Sequence, residues 1–224
     1  MQFLGLLLQV NLNKISLFMP NLIPADKEKY ELCDEIKRKV TIPVSFKMRQ
    51  CDTTTVQQST SFNWQLTVKT SPENPRYNIV GFQTNRANGD QTVNASIFDH
   101  CDLKNMYIML KNNDMYPAVD YNLSFPNQQI SRIYREASVF KEKFYGMNEL
   151  IANSNISPSD YRDLYPLFVF DDSKQSERSK SSTIQVQIRA TFNTAVPANT
   201  QAYALVLSDR IMELQSDGNK LNVV

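Results

Sequence analysis

Residues 183–192 constrain this chain more than any other stretch. Ile184, Val186, Ile188, Ala190 and Phe192 alternate with Gln185, Gln187, Arg189 and Thr191, so an extended backbone sends every apolar side chain to one face and every polar one to the other. A helix would scatter the same residues around its circumference. The neighbouring runs are also strand-like. Leu164-Tyr165-Pro166-Leu167-Phe168-Val169-Phe170 lies upstream, and Ala202-Tyr203-Ala204-Leu205-Val206-Leu207 lies downstream beyond the turn Val196-Pro197-Ala198-Asn199. The last run is apolar throughout, as in a strand covered on both faces or buried at a subunit contact.

The same rhythm runs through most of the chain. Leu6, Leu8, Val10 and Leu12 alternate, then Ile15, Leu17 and Met19 continue on the opposite parity, which predicts a long first strand with a bulge near Asn13. Residues 26–39 carry Tyr30, Cys33 and Ile36 at spacing three among charges, a short surface helix with Pro24 and Asp26 suited to its first turn. Val44, Phe46 and Met48 then alternate with Ser45, Lys47 and Arg49, and the polar residues 52–61 read as a loop. Trp64, Leu66 and Val68 mark a third strand. Residues 76–84 form the next, and Gly81 inside it marks a bulge or a close backbone approach. Met106, Ile108 and Leu110 define another. Eight runs result, at about 6–18, 42–49, 62–70, 76–84, 102–110, 164–171, 183–192 and 201–213.

Eight antiparallel strands in two facing sheets is the jelly-roll number. The expected fold is therefore all-β, an eight-stranded antiparallel jelly-roll sandwich formed by a single domain over residues 1–224. Between the fifth and sixth strands the alternation fails, at about 111–163. Ile133, Ala137, Phe140 and Phe144 recur there at helical spacing and predict a helix over 131–145. A connection this long is functional or packs on a neighbour. An up-and-down barrel, which joins its strands by short hairpins, does not fit it. Residues 216–224 are polar, contain Gly218, and read as a flexible tail.

Composition removes several classes of function. Lys and Arg number 24 against 23 Asp and Glu, so no chain-wide field draws the molecule to nucleic acid or anionic lipid. No run approaches the ~20 apolar residues of a membrane span. The apolar start lacks the basic leader and small-residue cleavage site of a signal peptide. Cys33, Cys51 and Cys101 have no CxxC spacing and read as free thiols of a reducing compartment. The sequons at Asn94, Asn122 and Asn155 carry little weight without a secretory signal.

Catalytic chemistry finds little to work with. The single histidine, His100, sits beside Cys101, and adjacent strand residues point to opposite faces, so a nucleophile–base pair is disfavoured against a hydrogen-bonded structural histidine. Metal sites of cupin type need several histidines. Asp171, Asp172, Asp99 and Asp102 could meet a hard cation but read better as solvated strand ends. With 5 glycines and no phosphate-loop motif, nucleotide binding has no support. The basic loop at residues 174–180 contains Glu177 and reads as a wet turn. No catalytic, cofactor-binding or metal residues are assigned.

A patterned sandwich without a convergent polar cluster, carrying 10 Tyr and 12 Phe and a large insertion, is suited to contacts with other proteins. Tyr116, Tyr121, Phe125, Tyr134, Phe140, Phe144 and Tyr145 are the candidate interface anchors. For Phe140 and Phe144 the alternative is that the helix covers its own sandwich.

Several strings carry a resemblance. Met19-Pro20-Asn21-Leu22, Asn74-Pro75-Arg76-Tyr77-Asn78-Ile79-Val80-Gly81-Phe82-Gln83-Thr84-Asn85-Arg86, Phe98-Asp99-His100-Cys101, Tyr116-Pro117, Phe170-Asp171-Asp172-Ser173-Lys174-Gln175-Ser176-Glu177 and Pro197-Ala198-Asn199-Thr200-Gln201-Ala202-Tyr203 resemble the major capsid protein of Polinton (Maverick) elements and adintoviruses. The resemblance implies a double jelly roll, two sandwiches in tandem, whose trimers form capsomers of an icosahedral shell. This chain has room for one sandwich and resembles the C-terminal half, as a fragment, a decayed genomic copy or a single-jelly-roll relative. The implied function is structural, without catalysis or cofactor. The implied partners are the chain itself, an upstream first jelly roll, and penton and minor capsid proteins, within a virion capsid made in the host cytoplasm or nucleus. A carbohydrate- or receptor-binding sandwich of lectin or cytokine type is the alternative.

Overall fold

The computed structural model describes residues 13–67, 75–86, 93–110, 115–147, 156–174, 185–217 and 221–223. In chain order they form α1 (Asp26–Lys37), β1 (Ile42–Val56), β2 (Ser61–Gln65), β3 (Pro75–Thr84), β4 (Leu103–Met109), β5 (Met115–Tyr116), α2 (Ser131–Tyr145), α3 (Pro158–Asp163), β6 (Phe168–Asp171), β7 (Gln187–Phe192), β8 (Thr200–Ser216) and β9 (Leu221–Val223). One sheet has the order β1-β8-β3-β6, with β9 added on β8, and the other has the order β2-β7-β4-β5. The first strand thus lies beside the eighth, the second beside the seventh, the third beside the sixth and the fourth beside the fifth. A ribbon of four outgoing and four returning strands, rolled so that successive pairs fall in alternate sheets, is a jelly roll.

The chain divides into two compact units. Residues 44–212 form one, and residues 1–43 with 213–224 form the other. The larger unit holds the core. Inward residues of both sheets, among them Trp64, Val80, Phe82, Met106, Ile108, Phe168, Val186, Ile188, Ala204 and Val206, make one apolar cluster. Phe82 is its hub, with ring centroids 5.6 Å from Phe192, 6.1 Å from Phe168 and 6.3 Å from Phe62. Burying one such side chain contributes about 1.5–3 kcal/mol. The alternation of residues 186–192 has the expected result: Val186, Ile188, Ala190 and Phe192 are all in this cluster. Gly81 lies where no side chain fits. A Cβ there would come within 2.6 Å of the Phe98 ring and 2.9 Å of Leu167, so the glycine serves a close approach and not a bulge.

Several elements depart from the sequence-based expectation. The part of the expected first strand that is described, residues 13–18, has no strand, and Ile15, Leu17 and Phe18 stand 84–89% exposed; residues 6–12 lie outside the described residues. Alternation alone makes no strand where there is neither ladder partner nor core to cover it. The strand expected at 42–49 instead continues to Val56, through residues read as a loop. Its threonines are β-branched and suit an extended chain, and Asp52 accepts the Thr67 amide at 2.7 Å. Met115–Tyr116 inside the insertion is a strand, paired with Ile108 and Met109. The run at 164–171 begins only at Phe168, because residues through Asp163 are helical. α3 had a legible start: Ser157 accepts the Asp160 amide at 3.0 Å and Pro158 follows it, the usual chemistry of a helix N-terminus.

In the smaller unit α1 is exposed along its length, with no buried residue. Its charges make only surface pairs, Lys27 with Glu31 and Lys37 with Asp34. Where a loose tail is expected, Leu221–Val223 pairs with Leu214–Ser216.

Candidate functional site

His100 occupies a rim cavity of about 490 Å³ at the strand ends, lined also by Thr84, Asp99, Cys101, Asp102 and Asp163. Its ring stacks on Phe125 at 4.2 Å, nearly parallel. Nδ1 accepts the Asp102 amide at 2.8 Å, so the neutral ring carries its proton on Nε2. Burial pushes the imidazole below its ordinary range, against the pull of Asp102 and Asp99. Burial also pushes the Cys101 thiol up to about 12, which leaves no thiolate to act as a nucleophile. Asp99 is engaged by Arg86 and by the Thr84 amide, both at 2.7 Å. The carboxylates of this rim thus hold the loop together. Among the described residues no three His, Cys, Asp or Glu side chains converge as a metal would need.

The seven aromatic anchors go to different places. Phe125 is a core residue, 2% exposed, with its ring edge-on to Phe168. Phe140 and Phe144 stack on each other at 5.2 Å and meet the Tyr77 ring edge-on at 5.2 and 5.7 Å. With Val169 and Leu207 they form a second apolar cluster. α2 therefore covers the outer face of the β1-β8-β3-β6 sheet, the alternative that spacing left open. Tyr134 donates its hydroxyl to the Ile156 carbonyl at 2.8 Å and packs on Tyr161. Tyr116 and Tyr121 are half-buried and line a groove of about 310 Å³ with Arg132, Arg135 and Lys143. The Arg132 guanidinium sits 4.8 Å over the Tyr121 ring, whose hydroxyl burial pushes up to about 12. Tyr145 alone of the seven is exposed, at 54%, with its hydroxyl accepting from Arg49 at 3.1 Å.

One exposed apolar surface of the larger unit lies on β1, although Val119 and Ile211 elsewhere in that unit are more exposed, at 66% and 60%. Lys47 and Arg49 reach α2 on the outer face, so Val44, Phe46 and Met48 point to the other side. Further along the strand that side is the inter-sheet core, reached at Val56. Near the start of β1 it is open, and Val44 and Phe46 are 37% and 41% exposed. The cause is a mismatch of lengths: β1 and β8 have 15 and 17 residues, while β2 and β7 opposite have 5 and 6. The alternation around Phe46 was legible in sequence, but its lack of cover was not, because a polar reading of residues 52–61 hid the true length of β1.

The smaller unit has an apolar stretch of its own. Ile15, Leu17, Phe18, Met19, Leu22 and Ile23 are 77–91% exposed, far beyond the scattered apolar residues of an ordinary surface.

The description of the double jelly roll-like domain matches residues 7–212. The chain belongs to that family. No curated protein matches it in sequence. Among solved structures, it is similar to the crystal structure of the mavirus major capsid protein, with a TM-score of 0.40 and 12% identity over 82% of this chain and 41% of that one. The chain thus spans less than half the length of that protein. For the double jelly roll-like family the order β1-β8-β3-β6 and β2-β7-β4-β5 supplies one complete roll within the described residues.

Proposed function

We propose that this chain is a structural capsid protein of the Polinton (Maverick) and adintovirus kind, the C-terminal jelly roll of a double jelly-roll subunit. It works by self-association into trimeric capsomers of an icosahedral shell, within the virion and without catalysis. A first jelly roll, penton proteins and minor capsid proteins are its further partners. Membership of the double jelly roll-like family supports the reading, together with the resemblance of its strings. The observation that carries it is the open apolar face at Val44 and Phe46 on a strand that overshoots the facing sheet. An apolar face of this kind belongs under a protein partner, and obligate assemblies bury more than ~2,000 Å² per interface. Tyr145, exposed beside Arg49 on the opposite face of β1, is retained as a separate candidate anchor.

Sedimentation velocity and negative-stain imaging of the purified chain test the proposal. Trimers or larger assemblies are expected, and Phe46→Glu should disperse them. A strictly monomeric wild type that is retained on immobilised sugar would favour a lectin-like module instead.

A further inference from the structure

The least expected polar group of the larger unit is the carboxyl of Asp172, just beyond β6. It has no exposed surface, and neither does Asn78 on β3. Asn78 faces Phe170 across one ladder and Val206 across the other. The Asp172 amide continues the β3–β6 ladder by donating to the Arg76 carbonyl at 2.8 Å. Asn78 Nδ2 donates to Asp172 Oδ2. The remaining oxygen of each side chain, Asn78 Oδ1 and Asp172 Oδ1, has no partner.

An ionised carboxylate here would be a buried charge without a counter-ion, which costs several kcal/mol. Among the described residues no lysine or arginine pairs with it. The charged or titratable groups that act on it are Asp171 from β6 and the Tyr121 phenol from the segment before α2, and neither is cationic. Both unpartnered oxygens are acceptors. One proton removes both deficits: an Asp172 Oδ1 hydroxyl donating to Asn78 Oδ1 completes a ring of two hydrogen bonds between acid and amide.

We infer that Asp172 stands as the neutral carboxylic acid, locked to Asn78 in a reciprocal acid–amide pair that pins edge strand β6 to β3, and that losing this one proton unlatches the edge. The proton stays within the pair when the latch is closed and passes to solvent hydroxide when it opens. β6 also carries Val169, on which α2 rests, so an unlatched β6 loosens the α2 cover as well. Burial, with Asp171 adding to it, pushes the Asp172 carboxyl up to about 8. The sign follows from the raised folded-state value. The stabilising contribution is complete below the unfolded carboxyl range near pH ~4, declines as pH rises, and is gone once the folded carboxyl ionises.

Asp172→Asn keeps one donor and one acceptor against Asn78 but cannot ionise. Urea unfolding of wild type and variant across the range from acid to alkaline pH reads the difference. Relative to the variant, the wild-type unfolding constant should grow about tenfold per pH unit between pH ~5 and ~8. Parallel pH profiles for the two proteins would overturn the latch. Should the variant not fold, the carboxyl-carbon NMR titration of Asp172 in the wild type decides. A shift still characteristic of the acid at neutral pH supports the pair, and titration in the ordinary aspartate range, as for a carboxylate hydrated by trapped water, defeats it.

Discussion

Lys47 Nζ donates to the Phe144 carbonyl at 2.6 Å and stands 4.2 Å above the centroid of the same residue's ring. One ammonium thus meets a last-turn carbonyl of α2 and an aromatic face together. Helix C-termini leave carbonyls unpaired and concentrate negative potential, so a cation there is favourable. Replacing Lys47 by Ala should cost about 1 kcal/mol in urea unfolding at unchanged m-value. Hydrogen exchange should accelerate first in the last turn of α2. Unchanged exchange there would mean that the contact is incidental.

The aromatic stack under that lysine has a larger effect. Phe144 is 8% exposed and packs on Tyr77, Phe140 and Tyr145. Phe144→Ala should destabilise the chain by about 3 kcal/mol, the usual range for a buried aromatic. Because this ring faces its own sheet, the association state of whatever protein stays folded should not change. A variant that keeps its stability but loses assembly would return Phe144 to the list of interface anchors.

How much of this was readable beforehand depends on the range of the contacts involved. α2 has the bounds that 3.6-residue spacing of Ile133, Ala137, Phe140 and Phe144 predicts, since a helix is written in local periodicity. The β7 alternation is likewise local. What spacing does not carry is which strand an alternating run lies beside. Ile15, Leu17 and Met19 alternate as well as Ile184, Val186 and Ile188 do, yet the first set is exposed. The open face at Val44 and Phe46 depends on how far β1 outruns β2, a relation between separate strands. The pairing of Asn78 with Asp172 spans 94 positions, and no short-range signal announces it.

Gly81 gives a prediction in which sterics alone set the sign. A Cβ at this position meets the Phe98 ring at 2.6 and 2.8 Å and Leu167 at 2.9 Å, closer than ordinary packing allows, and Phe98 is also tied to Leu164 through its amide at 2.9 Å. Gly81→Ala should lower stability by about 1–3 kcal/mol, the range for overpacking a filled site. The double variant Gly81→Ala with Phe98→Leu should recover part of that loss. Equal stability of the single variant and wild type would show that the 93–98 segment moves aside freely.

Acid sensitivity should trace to His100. Its folded-state value is depressed by burial, and its Nδ1 lone pair is held by the Asp102 amide, so protonation removes an acceptor and charges a ring stacked on Phe125. A base whose folded-state value lies below the unfolded ~6.5 contributes stability that is present above that pH and is lost as pH falls through the folded value. His100→Asn retains an acceptor near the Asp102 amide but does not titrate in this range. Relative to this variant, the wild-type unfolding constant should therefore grow as pH falls below ~6.5. This acid-side loss has the opposite sign to the one assigned to Asp172 and overlaps its window below pH ~6.5, so the wild-type profile should be flatter there than that of either single variant. A ratio of wild-type to His100→Asn unfolding constants that does not change with pH would show that His100 carries no acid sensitivity.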